Sequence, residues 1–166
     1  LLINTTYSLA LVGFSDRAPI HSPFSKKMTS KNLLKSKSWP IESLPGLSSQ
    51  QQAQLVECGI STTGKLLRNV RTPEQKLALA NKLQLNVKYV NKWVALADLA
   101  RVPSVGCQYC GLLLHAGVAS PTQLAQIPVL RLHQQVLKLQ VATMQRRDLC
   151  PGVEQVQTWI EEAKRL

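Results

Sequence analysis

A chain of 166 residues that is 45% apolar is long enough to bury one core. Its longest apolar stretch, Leu1 to Phe14, is broken by Asn4, Thr5, Thr6 and Ser8 and falls short of the roughly 20 apolar residues of a membrane-spanning helix. Net charge is +11, of which residues 1–40 carry +5 (Arg17, Lys26, Lys27, Lys31, Lys35 and Lys37 against Asp16) and residues 41–166 carry +6, so the patterned part of the chain is itself basic and suits a polyanionic partner.

Residues 1–27 mix Thr, Ser, Pro and short apolar runs without helical or strand period, and Met28 is the first methionine. The expectation is that the natural chain starts at Met28, the upstream stretch being a translated leader or a processed segment. Residues 28–38, rich in Lys and Ser, read as a solvated tail, so residues 1–38 form an irregular N-terminal region.

From Trp39 onward the signals are helical. Trp39 to Leu44 enters a turn at Pro45-Gly46. Ser48 is placed to cap a helix from Ser49 to Cys58, with Ala53, Leu55 and Val56 inward and Gly59 ending it. Thr62 caps a short helix through Leu66 and Leu67. Thr72-Pro73 opens another, with Leu77, Ala80 and Leu83 as its apolar positions. Asn86 caps a longer helix whose Val90, Trp93, Val94, Ala97 and Ala100 form an apolar stripe.

Pro103 then forbids continuation and biases Val102 away from helical geometry, while Gly106 tolerates a positive φ; a second turn follows, expected at the surface. A helix runs from there to Ala116-Gly117, and Ser120-Pro121 starts a short one through Leu124. Pro128 starts a longer one carrying Leu132, Val136 and Leu139. A loop from Thr143 to Gly152 precedes the last helix, for which Asp148 is the expected N-cap and Val156, Trp159, Ile160 and Ala163 the buried face. No strand-period segment occurs past Met28, so the fold class is all-α.

The chain repeats itself. Pro45, Leu47, Leu55, Gly59, Ile60, Thr62 and Leu66 map onto Pro103, Val105, Leu113, Gly117, Val118, Ser120 and Leu124 at an offset of 58, and Val90, Trp93, Val94 and Ala97 map onto Val156, Trp159, Ile160 and Ala163 at 66. The second copy therefore holds an eight-residue insertion. The Trp93 helix bridges units of about 39–98 and 99–166. Both tryptophans, equivalently placed, are expected in the core rather than on a partner-binding face.

Leu44-Pro45-Gly46-Leu47 and Val102-Pro103-Ser104-Val105-Gly106 resemble the helix-hairpin-helix motif, apolar-Pro-Gly-apolar-Gly, and the tandem arrangement over roughly residues 40–166 resembles an uncharacterised bacterial family of double helix-hairpin-helix proteins. The resemblance implies turns that offer backbone N–H groups to nucleic-acid phosphates without reading base sequence. Ser48 stands where the first turn would have its second glycine and Ser104 where the second turn would have its first; the second turn, which keeps the glycine adjoining its outgoing helix and has Arg101 just before it, is expected to be the stronger phosphate contact. The contact residues it implies are Pro45, Gly46, Leu47 and Ser48 in one turn and Pro103, Ser104, Val105 and Gly106 in the other. Lys65, Arg68, Arg101, Arg146 and Arg147 are the cations placed to add affinity.

Cys58, Cys107, Cys110 and Cys150 have spacings that a four-thiolate zinc site would accept, but Cys107 and Cys110 fall inside a helix, where packed thiols in a reducing, cytoplasmic setting are expected and no metal is called for. His21, His115 and His133 have no spaced carboxylate partner, Glu161-Glu162 reads as a solvated face, and no phosphate-cradling glycine loop occurs. The sequence therefore points to a non-enzymatic module without cofactor or small-molecule substrate. Its expected partner is the backbone of DNA or RNA, the rival expectation being a protein that docks on the same helical repeats.

Overall fold

The computed structural model describes residues 35–144 and 150–166, and Arg146, Arg147 and Asp148, like residues 1–34, lie outside the described residues. Local chemistry sets the helix starts. Ser48, Thr62, Thr72, Asn86 and Ser120 each accept a hydrogen bond from a backbone N–H of the first turn that follows, satisfying donors that a helix cannot satisfy internally. The helices so started are α1 (Ser49–Glu57), α2 (Thr63–Asn69), α3 (Pro73–Lys82), α4 (Val87–Ala100) and α6 (Pro121–Gln126); α5 (Gly106–His115), α7 (Val129–Met144) and α8 (Val153–Arg165) complete the all-α set among the described residues.

The repeat is visible in the backbone. Gly59 and Gly117 sit at φ +80° and +93°, and beyond them Ile60 N–H donates to Leu55 O at 2.9 Å and Val118 N–H to Leu113 O at 3.0 Å, the same left-handed helix stop at matched positions. Thus α1 to α4 correspond in order to α5 to α8. Much of the insertion lengthens α7, which has 16 residues against 10 in α3.

One continuous core runs through both sets, with Trp93 and Trp159 fully buried in it. The bridging helix α4 buries a broader face than the sequence stripe, adding Leu96 and Leu99 to Val90, Trp93, Ala97 and Ala100, and it packs against α2, α3 and α5. Tyr109 of α5 lies 5.0 Å from Trp159, centroid to centroid, tilted by 47°.

Some expected positions are corrected. Ala53 and Val56 are exposed and α1 buries only Leu55, because its main neighbour is the short 3-10 turn at Ile41–Ser43 rather than a second long helix. Leu77 is 52% exposed; Leu79, Ala80 and Leu83 make the inner face of α3, the i, i+1, i+4 set that a 3.6-residue period favours over an i, i+3, i+6 drift. Thr143 belongs to α7 instead of opening the loop. The N-cap of α8 is Gly152, so the helix starts after Pro151-Gly152 and not at Asp148.

The entry segment is tied down at both ends. Trp39 N–H donates to the hydroxyl of the fully buried Thr63 at 3.0 Å, and Thr63 N–H returns to Trp39 O at 2.8 Å beside an antiparallel bridge of Pro40 with Thr62. The Trp39 indole N–H donates to Ala100 O at 2.7 Å, filling a carbonyl at the end of α4. Ser36 to Ser38, though exposed, are also bonded: Lys37 N–H donates to Arg101 O and Gly64 N–H to the Ser38 hydroxyl. Trp39→Phe, which keeps a ring but leaves Ala100 O without its donor, is expected to cost about 1 kcal/mol. A shift of the urea midpoint at unchanged slope measures it.

Candidate nucleic-acid interface

The two turns named by the sequence have opposite environments. In the first, Gly46 is exposed at φ +80°, a conformation that Pro45 before it and the missing Cβ make accessible. Ser48 then closes a capping box: its hydroxyl accepts from Gln51 N–H at 3.2 Å and its own N–H donates to the Gln51 side chain at 2.9 Å. This is why serine stands where a second glycine was expected. The N–H groups of Gly46, Ser49 and Gln50 have no partner among the described residues, and they lie at the positive end of α1, whose first turn holds no acidic residue. The Lys92 ammonium stands over the turn, 3.7 Å from the position a Cβ on Gly46 would take.

The second turn is closed from within. Ser104 donates twice to the carboxylate of Glu162 on α8, from its N–H at 2.8 Å and from its hydroxyl at 2.7 Å, and Ser104 O accepts the Trp159 indole N–H at 3.2 Å. The N–H groups of Val105 and Gly106 both turn back to Val102 O. The expected surface position is also corrected: Val105 and Gly106 are buried, and a Cβ on Gly106, at φ +52°, would come 2.9 Å from the Trp39 ring. The anion that this turn holds is the protein's own carboxylate.

Comparing the repeats explains the contrast. At the offset of 66, Glu162 corresponds to Leu96, and Leu96 does approach Gly46, to 3.9 Å from the ideal Cβ, but brings no acceptor. Trp159 corresponds to Trp93, whose buried indole N–H has no hydrogen-bond partner, whereas that of Trp159 is bonded to the second turn. The first turn thus has neither internal clasp.

The remaining candidates are scattered. Lys65 is exposed and donates to the Ser61 hydroxyl at 2.9 Å. Arg101 is ion-paired with Asp98 at 2.7 Å and bonded through Nε to the Ser36 hydroxyl at 3.0 Å. It shares a cleft of about 680 Å³ with Arg68, which the structure joins to Lys37, Arg71 and Lys76. Lys92, Glu162 and these three cations were not singled out by the sequence; the offset between repeats, which sets Glu162 against Leu96, is the signal that would have found the first difference.

The cysteines are not gathered, and no group of three or more His, Cys, Asp or Glu suited to a metal occurs among the described residues. Cys110 is fully buried, its Sγ 3.6 Å from Cys107 O, and burial, followed by the nearby Cys107, pushes its thiol up to about 12. His115 is exposed, with Nδ1 2.7 Å from Gly111 O.

Residues 45–166 match the family model described as Domain of unknown function (DUF4332), and the chain belongs to that family. No curated protein and no solved structure matches the chain. Among the described residues no helix is long and apolar enough to cross a membrane.

Two stability measurements follow. Glu162→Ala leaves Ser104 N–H without its charged acceptor and is expected to cost about 2 kcal/mol, and Gly106→Ala a similar amount through the Trp39 contact and the positive φ; both are read from urea unfolding. The Cys110 thiol keeps its proton in the folded chain above its ordinary 9.0, so it favours the folded state below that pH and this preference is lost as pH rises from 9.0 towards about 12. Cys110→Ala is therefore expected to flatten the alkaline fall of the unfolding midpoint, and Cys110 to be the slowest of the four thiols to alkylate.

Proposed function

We propose that this chain is a non-enzymatic, tandem helix-hairpin-helix module that binds the phosphate backbone of nucleic acid without sequence preference, and that the first turn, not the second, makes the contact. The observation that carries the reading is the pairing of unsatisfied N–H donors at Gly46, Ser49 and Gln50 with the Lys92 ammonium, set against a second turn whose donors already hold Glu162. A phosphate oxygen accepts from N–H groups and prefers the positive end of a helix, and neither preference depends on the base. The net charge of +11 supports the same class of partner by raising the encounter rate with a polyanion. The reading needs no cofactor and suits a cytoplasmic accessory factor.

A protein partner is the second reading. The observation favouring it is an apolar strip on α7, where Leu130 is 67% exposed and Leu137, Val141 and Ala142 line a shallow groove.

Fluorescence anisotropy of a short labelled duplex, titrated at several salt concentrations, tests the choice. Lys92→Ala is expected to weaken binding for every duplex sequence alike and to lower the salt slope by about one unit. Glu162→Ala, if folded, should bind no less tightly than the parent. Parent protein that leaves both DNA and RNA unbound at low salt would reject the nucleic-acid reading in favour of the protein partner.

A further inference from the structure

The described cations are not evenly spread. Lys37 comes from the extended entry segment, Arg68 from α2, Arg71 from the connection after it, Lys76 from α3 and Arg101 from α4; all five line the one cleft of about 680 Å³. Among the described residues Asp98 is the only carboxylate in the lining, and Arg101 already binds it at 2.7 Å. Among the described residues four positive side chains thus line one concavity without an acidic partner, an arrangement whose mutual repulsion an external anion would relieve.

Backbone and hydroxyl groups help to hold the walls in place. Gly64 N–H donates to the Ser38 hydroxyl at 3.2 Å, and the absence of a side chain at Gly64 permits this approach, since a Cβ there would lie 2.7 Å from that oxygen. The Ser36 hydroxyl accepts from Arg101 Nε, and the Lys37 ammonium rests 4.2 Å from the Trp39 ring centre. Arg71 uses its backbone N–H, not its guanidinium, to bond the Gln75 side chain.

The cleft is separate from the first turn. Lys92 and Leu96, one helical turn apart on α4, face Gly46, whereas Val94, Asp98 and Arg101 line the cleft. At about 100° per residue, Val94 points roughly 200° away from Lys92, so the two groups occupy opposite sides of the same helix.

We propose that this cleft binds a run of two or more consecutive phosphates. Guanidinium groups grip phosphate through paired N–H donors while lysines add point charge, so several phosphates in one ligand can engage more of these cations than a single phosphate can. Two sources supply that chemistry: free inorganic or nucleotide polyphosphate, and the phosphorylated end of a single strand. The proposal stands whether or not the first turn binds a duplex.

Isothermal titration of the full chain at low salt uses tripolyphosphate as one probe and a 5′-phosphorylated oligothymidylate as the other. Tripolyphosphate is expected to bind once per chain. Arg68→Ala combined with Arg71→Ala, both exposed residues, is expected to reduce its affinity about tenfold or more, while Lys164→Ala, at an exposed cation of α8 outside the cleft, leaves it unchanged. Competition by the oligonucleotide at similar concentration identifies a strand end as the ligand; binding of tripolyphosphate without that competition identifies free polyphosphate. No binding of tripolyphosphate, an unaltered affinity in the folded double variant, or a loss in Lys164→Ala equal to that in the double variant would overturn the proposal. Because duplex binding is read separately through Lys92, failure here leaves the hairpin reading intact and the reverse also holds.

Discussion

A backbone N–H partly shielded from water is stabilised by an acceptor within the chain, and at Ser104 it finds the carboxylate of Glu162. That bond, doubled by the Ser104 hydroxyl and joined by the Trp159 indole on Ser104 O, fastens the start of α5 to the last helix. The second turn thereby becomes a structural joint between α4, α5 and α8. Trp39 reinforces it from the other side by packing on Gly106 and capping Ala100. A turn so enclosed has few donors to offer outside. The same sequence device in the first repeat lacks the carboxylate, and its donors remain at the surface.

A difference of one acceptor between the repeats gives a simple physical account of the asymmetry. A charged hydrogen bond within the chain secures one turn; in the other, leucine at the corresponding position leaves the N–H groups to solvent or to a ligand. Helix α4 carries the consequences to two sides. One side presents Lys92 to the exposed turn, and the other contributes Asp98 and Arg101 to a cleft rich in cations.

What could be read from the sequence is what depends on near neighbours. Caps at Ser48, Thr62, Thr72, Asn86 and Ser120, left-handed stops at Gly59 and Gly117, and the buried tryptophan faces all follow from spacing within a turn or two. Val56 and Leu77 misled because apolar residues satisfy a helical pattern whether or not another element covers them. Glu162 read as a solvated face because its partner is 58 residues away, and Gly106 read as surface because nothing local announces that Trp39 will lie on it. Arg101 was legible as a cation near a turn, but not as one already held by Asp98 and Ser36. The offset between repeats is the one sequence signal that reaches such distant pairs, by showing where the copies cease to match.

On the proposed reading, one turn keeps its anion inside the molecule and the other takes its anion from outside. Amide chemical shifts of the full chain, followed while a short duplex is titrated in, test this most directly. The account predicts that the Gly46, Ser49 and Gln50 signals move with saturation while the Ser104 amide, held by Glu162, stays in place. Movement of the Ser104 amide with the first-turn amides unmoved would contradict it.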